Sequence, residues 1–325
     1  MRIAVMGTGG TGGYFGGLLA RAGEEVMFIA RGAQLEAIQE NGLTIKSRLS
    51  GNFTLPVKAT ADPGQMGPVD LVLFCVKAYD NPEAADQIRP LIEPETVVLS
   101  VQNGIDNEEQ IGKVIGPEHM LGCVSYVSST IESPGVIAQT AGPGKIILGE
   151  MEGGTSHRTE TLKDMLQNAG ITTELHSEIQ VALWQKFVAI CGINGITALT
   201  RLPLGEILAC TETSHFLKGT LEEVEAVAQT SGAALPEGSV DQSMDFFSSL
   251  EPSARGSMYY DLAAGQRLEL EVLNGTVVRL GNAHGIPTPF NFSIYAALKP
   301  YLNGAPSPSQ LKVSGFEPMP PLTKV

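Results

Sequence analysis

A glycine-rich turn near the amino terminus constrains the fold of this chain more than any other stretch. Residues 3–6 form an apolar run, residues 14–21 have the pattern of a helix, and residues 26–30 form a second apolar run. The glycines between the first run and the helix follow a G-x-G-x-x-G spacing: Gly7, Gly9 and Gly12. A strand, a glycine turn, a helix and a strand in this order predict a dinucleotide-binding unit of the Rossmann type.

Each glycine of this motif has a physical role. Gly7 permits a tight turn, Gly9 lets the backbone approach a pyrophosphate, and Gly12 lets the helix pack closely on the strand. The first N–H groups of the helix are free to bind phosphate oxygens. We therefore expect the whole turn to contact the cofactor, through Gly7, Thr8, Gly9, Gly10, Thr11 and Gly12.

The residue after the second predicted strand indicates which dinucleotide is bound. NAD sites usually place an acidic residue there, about 20 residues beyond the glycines, where it binds the ribose 2′-hydroxyl. This chain has Arg31 instead. A guanidinium attracts a 2′-phosphate, which a carboxylate would repel. We therefore expect NADP(H), and the alternative interpretation is that Arg31 is an ordinary surface arginine.

Length, charge and cysteine usage exclude several classes of function. The 325 residues suggest two domains, and the formal net charge of −14 argues against a nucleic-acid partner. The amino-terminal segment is too rich in glycine for a signal peptide, and we expect no membrane partner. The four cysteines are far apart and show no metal-type spacing, so we expect no metal, a reducing compartment and a cytoplasmic protein.

Strand and helix patterns alternate through the first half of the chain and predict a doubly wound parallel sheet. Lys77 and Asn103 follow two further predicted strands, so they should lie at the carboxyl edge of that sheet, where ligands bind. We predict an α/β fold in which residues 1–177 form an NADP-binding Rossmann-like domain and residues 178–302 form an all-α substrate domain. The remaining residues, 303–325, are rich in Pro and Ser and predict an irregular tail.

The second domain is expected to contain helices near 178–199, 205–231, 238–250 and 269–284. The first of these is almost wholly apolar but contains Lys186 and Asn194, which lie about 80° apart around the helix axis. A lysine in such a helix must extend to solvent, pair with an acid or lose its proton. Gly265 is expected to end one helix, so that Glu269 begins the next.

The chain resembles the ketopantoate reductase (2-dehydropantoate 2-reductase) family over nearly its whole length. The matching pieces are individually weak, but their order and spacing are typical of that family. They are the glycine motif, Arg31, Val76-Lys77-Ala78, Gln102-Asn103-Gly104, Trp184-Gln185-Lys186, Asn194 with Thr197-Ala198, Ser257-Met258, and the segment from Glu269 to Gly275.

The resemblance implies an NADPH-dependent reductase of a small 2-oxo acid, ketopantoate above all, in pantothenate biosynthesis. It implies that Lys186 is the general acid and that Glu269 helps to hold the lysine, the substrate and the cofactor. It also implies substrate contacts for Asn194 and Ser257, and it places two residues beside the cofactor and the substrate, namely Lys77 and Asn103. A monomer and a homodimer both remain open.

The sequence departs from the family pattern at the substrate wall. Ile190 stands where members often have a second substrate-contacting asparagine, Gly195 replaces a proline, and Leu268 replaces a threonine. A more apolar 2-oxo acid is therefore an alternative substrate, because a site that binds a hydroxyl discriminates through its hydrogen bonds. Since a fold alone does not fix a function, the sequence also leaves open a β-hydroxy acid dehydrogenase and a non-catalytic NADP(H) sensor.

Overall fold

The computed structural model describes residues 1–306, which include ten strands in one sheet and twelve α-helices. The predicted tail lies outside the described residues from position 307 onward. The strands are β1 Arg2–Met6, β2 Glu25–Ile29, β3 Leu43–Ser47, β4 Phe53–Leu55, β5 Lys58–Thr60, β6 Leu71–Phe74, β7 Val97–Ser100, β8 Met120–Ser133, β9 Val136–Glu150 and β10 Thr172–Leu175. The helices are α1 Gly10–Arg21, α2 Gly32–Asn41, α3 Asn81–Gln87, α4 Asn107–Ile115, α5 His157–Asn168, α6 Ile179–Thr200, α7 Leu204–Ala209, α8 Thr211–Thr230, α9 Ser239–Ser249, α10 Ser257–Ala263, α11 Asn274–His284 and α12 Pro289–Leu298.

The sheet confirms the predicted α/β class. Its strand order is β4-β3-β9-β8-β7-β6-β1-β2-β5, and β10 pairs with β9. Seven of the nine strand pairings among the described residues are parallel, and the antiparallel ones are β3 with β4 and β8 with β9. The central strands β1, β6 and β7 consist almost entirely of buried apolar residues. This composition is typical of parallel strands whose sheet is covered on both faces.

Helix α1 contains five glycines although glycine costs about 1 kcal/mol in a helix interior. Close packing explains them. A Cβ atom on Gly16 would lie 2.7 Å from both the Phe28 ring and the Val5 side chain, and one on Gly13 would lie 2.7 Å from Ile137. The backbone of α1 therefore packs directly against side chains of the sheet, and the first turn of the helix lies at the carboxyl end of β1.

The helical part is built around α6, which is 22 residues long and mostly buried. Its length and apolar composition would suffice to cross a membrane, but 67% of its most apolar window is buried inside the protein. Its neighbours are α8, α10 and α12, which surround it with apolar side chains such as Leu217, Leu221 and Met258. Helix α6 also contacts β8, so one helix joins the sheet to the helical bundle.

Two predicted elements of the helical part are wrong in detail. The helix expected over 205–231 is two helices, α7 and α8, because the backbone is extended at Cys210. The helix expected to begin at Glu269 begins at Asn274, and residues 269–273 form turns. Gly265 follows the end of α10 with a φ of 66°, as expected of a residue that terminates a helix.

Candidate active site

A cleft of about 700 Å³ lies between the carboxyl edge of the sheet and the helical bundle. Its volume is typical of small-ligand and cofactor sites. All but one of the predicted site residues line it: Gly7, Thr8, Gly9, Gly10, Thr11, Arg31, Lys77, Asn103, Lys186, Asn194, Ser257 and Glu269. The exception is Gly12, where a Cβ atom would clash with the carbonyl oxygen of Gly7 behind the turn.

The glycine turn forms one wall of the cleft. Gly7 has a φ of 99°, a conformation that favours glycine, and a Cβ there would lie 2.8 Å from the backbone nitrogen of Val76. Thr8 donates from both its backbone N–H and its hydroxyl to the carbonyl of Ile29, at 3.1 and 3.0 Å. Apart from its chain neighbours, no atom of residues 1–306 lies within 4 Å of the position that a Cβ on Gly9 would occupy, so a ligand can approach the backbone there.

Arg31 lies at the rim of this wall, directly after β2. Its Nη2 donates to Glu83 Oε1 at 2.9 Å and to Gln87 Oε1 at 3.1 Å. The side chains of Arg31 and Glu83 are both more than 60% exposed, so water screens this ion pair. A phosphate that bound Arg31 would therefore compete only with a weak partner.

A cation at the end of β6 joins the two parts of the molecule. Lys77 Nζ donates to Asp261 Oδ2 at 2.9 Å and to Glu269 Oε2 at 3.0 Å. Burial alone would lower the pKa of Lys77, but the charges of Glu269 and Asp261 outweigh burial and raise that pKa well above its usual value. Lys77 therefore remains charged and holds the sheet edge against the helical bundle.

This pairing corrects the expectation that Glu269 is the partner of Lys186. Glu269 is 5% exposed and its hydrogen-bonded cation is Lys77. Lys186 has no carboxylate oxygen within 4.0 Å among residues 1–306. Burial lowers the pKa of Lys186, and the nearby charges of Glu269 and Glu108 only partly oppose that effect.

Asn194 anchors the start of α10. Its Oδ1 accepts hydrogen bonds from the hydroxyl of Ser257 at 3.1 Å and from the N–H of Met258 at 2.9 Å. Its Nδ2 donates to the carbonyl of Ile190 at 3.0 Å. The hydrogen bonds to Asn194 Oδ1 hold Ser257 at the cleft and use the single proton of the Ser257 hydroxyl. Asn194 therefore has a structural role that the sequence did not indicate.

A chain of amides fixes the loops after β6 and β7. Gln102 donates to the carbonyl of Val76 and to Asn81 Oδ1, both at 2.7 Å. Asn81 donates to Asn107, and Asn107 donates to the carbonyl of Asn103 at 3.0 Å. These buried hydrogen bonds hold the backbone at Asn103 in position, and its side chain lines the cleft.

Several residues of the site were not predicted. Asp261 follows Ser257 by one helical turn and pairs with Lys77. Arg255, Ile193 and Phe246 line the cleft from the helical side. Arg255 was detectable in principle, since it stands two residues before Ser257, but a single arginine in a loop carries little signal.

Glu108 was also missed. It lies in the first turn of α4, is 4% exposed, and its Oε2 has no hydrogen-bond partner within residues 1–306. Burial raises the pKa of Glu108 to about 7, and the charge of Asp106 acts in the same direction, while backbone hydrogen bonds from Glu108 and Cys123 and, to a smaller extent, the charge of Lys186 oppose the rise. A buried carboxyl that titrates near neutrality therefore lies within electrostatic reach of Lys186.

Two family models match the chain: "Ketopantoate reductase PanE/ApbA" over residues 3–153 and "Ketopantoate reductase PanE/ApbA C terminal" over residues 178–302. The chain belongs to the ketopantoate reductase family. This confirms the resemblance seen in the sequence and makes the chain a member of an oxidoreductase family. Among its relatives, the 2-dehydropantoate 2-reductase of Archaeoglobus fulgidus is 32% identical, with 89% of this chain and 94% of that protein covered.

Solved structures have the same fold over nearly the whole of this chain. The 2-dehydropantoate 2-reductase of Geobacter metallireducens GS-15 is 35% identical, with a TM-score of 0.86 and with 92% of this chain and 99% of that chain covered. A D-mandelate dehydrogenase in complex with NADH and anilino(oxo)acetate is 23% identical, with a TM-score of 0.86 and coverage of 93% and 98%. At that identity the second likeness concerns the fold alone.

Proposed function

We propose that this ketopantoate reductase family member reduces a 2-oxo acid to a 2-hydroxy acid with NADPH, converting ketopantoate to pantoate in pantothenate biosynthesis. The observation that carries the proposal is the position of Lys186, a half-buried lysine without a carboxylate partner in the described chain, in the same cleft as the glycine turn. Relatives named 2-dehydropantoate 2-reductase support the substrate class.

The residues of the sheet edge fit a dinucleotide. The open space in front of Gly9 admits a pyrophosphate, and the first N–H groups of α1 face it. Arg31 at the end of β2 supplies a guanidinium for a 2′-phosphate, which favours NADPH over NADH. When bound, NADPH supplies a hydride to the carbonyl carbon of the substrate.

The chain itself must supply a proton to the carbonyl oxygen, which gains negative charge as the carbon is reduced. We assign that proton to Lys186 Nζ. A general acid works best when its pKa lies near the working pH, and the lowered pKa of Lys186 moves it in that direction. Lys77 is the competing donor, but its raised pKa and its two carboxylate partners favour a positioning role.

The remaining site residues hold the reactants. Glu269 and Asp261 fix Lys77 near the substrate, while Asn103 lines the cleft between the two parts of the site. Asn194 and Ser257 form the wall next to Lys186 and contact the substrate in this proposal. We further propose a cytoplasmic monomer or homodimer, consistent with four free cysteines.

The test is NADPH oxidation by the purified protein against a panel of 2-oxo acids, followed by absorbance at the nicotinamide band. We expect ketopantoate to be reduced and NADPH to be used far better than NADH. A protein that binds NADPH but turns over none of the acids would be the non-catalytic sensor instead. Oxidation of β-hydroxy acids with NADP⁺, without reduction of any 2-oxo acid by NADPH, would move the chain to that class of dehydrogenases.

A second candidate substrate is a 2-oxo acid with a more apolar tail. It is favoured by Ile190, which lines the cleft with Ile193 and the half-exposed ring of Phe246. A substrate hydroxyl facing this wall would have one partner fewer, at a cost of roughly 1–3 kcal/mol.

The matched substrate for this test is 3,3-dimethyl-2-oxobutanoate, which lacks only the hydroxyl of ketopantoate. If the apolar alternative is right, the wild type prefers it, and Ile190→Asn shifts kcat/KM toward ketopantoate by about tenfold or more. A wild type that prefers ketopantoate overturns the alternative.

A further inference from the structure

Among residues 1–306, four cations line the cleft, and they fall into two pairs. Arg31 and Lys77 lie on the sheet side, and each is bonded to carboxylates at about 3 Å. Lys186 and Arg255 lie on the helical side, and neither has a carboxylate oxygen within 4.0 Å among residues 1–306. The chain has 35 acidic residues against 21 basic ones, so the lack of partners at these two positions is not due to a shortage of acids.

Within residues 1–306, the contacts that hold Arg255 in the cleft leave most of its N–H donors without a hydrogen-bond partner. Its Nη1 donates to the carbonyl of Ser253 at 3.1 Å, and its guanidinium carbon lies 4.8 Å from the centroid of the Tyr259 ring. Its Nε is buried and has no hydrogen-bond partner in the described residues. A guanidinium has five N–H donors in a planar fork, so this group is fixed by stacking and still able to bind an anion.

Ser257 is a poorer donor to an anion than Arg255. Its hydroxyl has one proton, which it donates to Asn194 Oδ1 at 3.1 Å. Asn194 Oδ1 also accepts from the N–H of Met258, so this arrangement is part of the start of α10. An anion bound beside Ser257 therefore needs a donor from elsewhere, and Arg255 is two residues away in the same cleft.

We propose that Arg255 binds the carboxylate of the 2-oxo acid and makes the enzyme selective for acids over neutral ketones. This rests on the proposed function, and it assigns the charged contact to Arg255, with Ser257 and Asn194 positioning the wall beside it. A guanidinium and a carboxylate form two parallel charge-assisted hydrogen bonds, which orient the bound acid as well as attract it. Lys186 then faces the carbonyl oxygen and Ile190 faces the tail.

The experiment compares 3,3-dimethyl-2-oxobutanoate with its neutral methyl ester in the wild type, Arg255→Lys and Arg255→Gln. We expect Arg255→Gln to lower kcat/KM for the acid by about 10- to 100-fold, mainly through KM, and to change kcat/KM for the ester less than about threefold. For the acid, kcat/KM of Arg255→Lys should lie between the values for the wild type and Arg255→Gln, because lysine keeps the positive charge but lacks the planar arrangement of N–H donors.

The matched control is Arg21→Gln. Arg21 also stacks on an aromatic ring, Phe53, and donates to a backbone carbonyl, that of Ser50, but it lies outside the cleft. The Arg21→Gln variant should keep the wild-type ratio of kcat/KM for the acid to kcat/KM for the ester. NADPH affinity, measured by fluorescence titration, should be unchanged in every variant.

Equal losses for acid and ester in Arg255→Gln, or no loss for either, would overturn the assignment of Arg255 while leaving the proposed function intact. A wild type that reduces none of the 2-oxo acids would overturn the proposed function and this assignment with it. The two failures are therefore distinguishable from the wild-type data alone.

Discussion

The two sides of the cleft differ in how their charges are balanced. On the sheet side, Lys77 has two carboxylate partners and a raised pKa. On the helical side, Lys186 has none within reach of an ion pair in the described chain, and burial lowers its pKa. The residue type is the same at both positions. In the proposed mechanism, the ion-pair environment, rather than the residue type, therefore distinguishes the lysine that holds structure from the lysine that releases a proton.

The largest expected effect comes from removing the two lysines in turn. Lys186→Ala should lose roughly 10²–10⁴-fold in turnover, the usual contribution of a general acid, and should keep its NADPH affinity and melting temperature. Lys77→Ala leaves Asp261 and the buried Glu269 without their cation, so its melting temperature should fall.

Single-turnover hydride transfer and thermal unfolding should be measured for both variants side by side. If Lys186→Ala transfers hydride at nearly the wild-type rate while Lys77→Ala does not, the roles of the two lysines are reversed. If the melting temperatures of both variants fall equally, Lys77 and Lys186 both stabilise the fold, and the proposed division into a structural lysine and a catalytic lysine is wrong.

The next effect concerns the acid behind Lys186. The pKa of Glu108 rises from 4.5 to about 7 in the folded protein, so between these values the native state binds more protons than the unfolded state. Stability should therefore fall as pH rises through that window, by up to roughly 3 kcal/mol. Glu108→Gln should remove this fall and should lower the kinetic pKa of Lys186, because a neighbouring negative charge is lost.

Urea unfolding at about pH 5 and about pH 8 checks the stability part, and the pH profile of kcat checks the kinetic part. The control is Glu109→Gln on the same helix, since Glu109 is exposed and pairs with Lys113 at the surface. A Glu108→Gln variant with the pH dependence of the wild type in both measurements would show that this carboxyl is not linked to Lys186.

The smallest expected effect tests the weakly paired cation at the rim of the sheet side. Arg31→Ala should weaken NADPH binding by roughly 1–3 kcal/mol and leave NADH nearly unchanged, since only NADPH has a 2′-phosphate. The free energy of unfolding of Arg31→Ala should differ from the wild-type value by less than about 1 kcal/mol, because the ion pair between Arg31 and Glu83 is exposed. Glu83→Gln should strengthen NADPH binding slightly by removing the competing carboxylate. Isothermal titration with both cofactors measures these shifts, and an equal loss for NADPH and NADH would refute the role of Arg31.

Local sequence patterns were sufficient where the structure depends on neighbours along the chain. The glycine turn predicted its own strand and helix, since a φ of 99° at Gly7 and the close approach of α1 to the sheet both require glycine. The buried strands β1, β6 and β7 were visible as short apolar runs, and their order placed Lys77 and Asn103 at one edge. The apolar helix α6 marked Lys186 as unusual before any contact was known.

The sequence failed where a side chain meets a partner far along the chain. Glu269 looked like a helix start and a partner for Lys186, but residues 269–273 form turns, with Leu268 and Leu270 packed into the helical core. That path brings the carboxylate to Lys77, which is 192 positions away in the sequence. No periodicity records such a contact.

The sequence by itself determined the fold class, the family and many of the residues that line the cleft, because these follow from local backbone requirements and from the order of motifs along the chain, but it did not indicate Arg255, Ile193 or Phe246. Tertiary structure alone decided which cations are paired and which are free. Charge balance depends on distances between elements, and the sheet edge and the helical bundle meet only when the chain has folded. The different environments of Lys77, Lys186 and Arg255 are therefore properties of the cleft, and its chemistry follows from them.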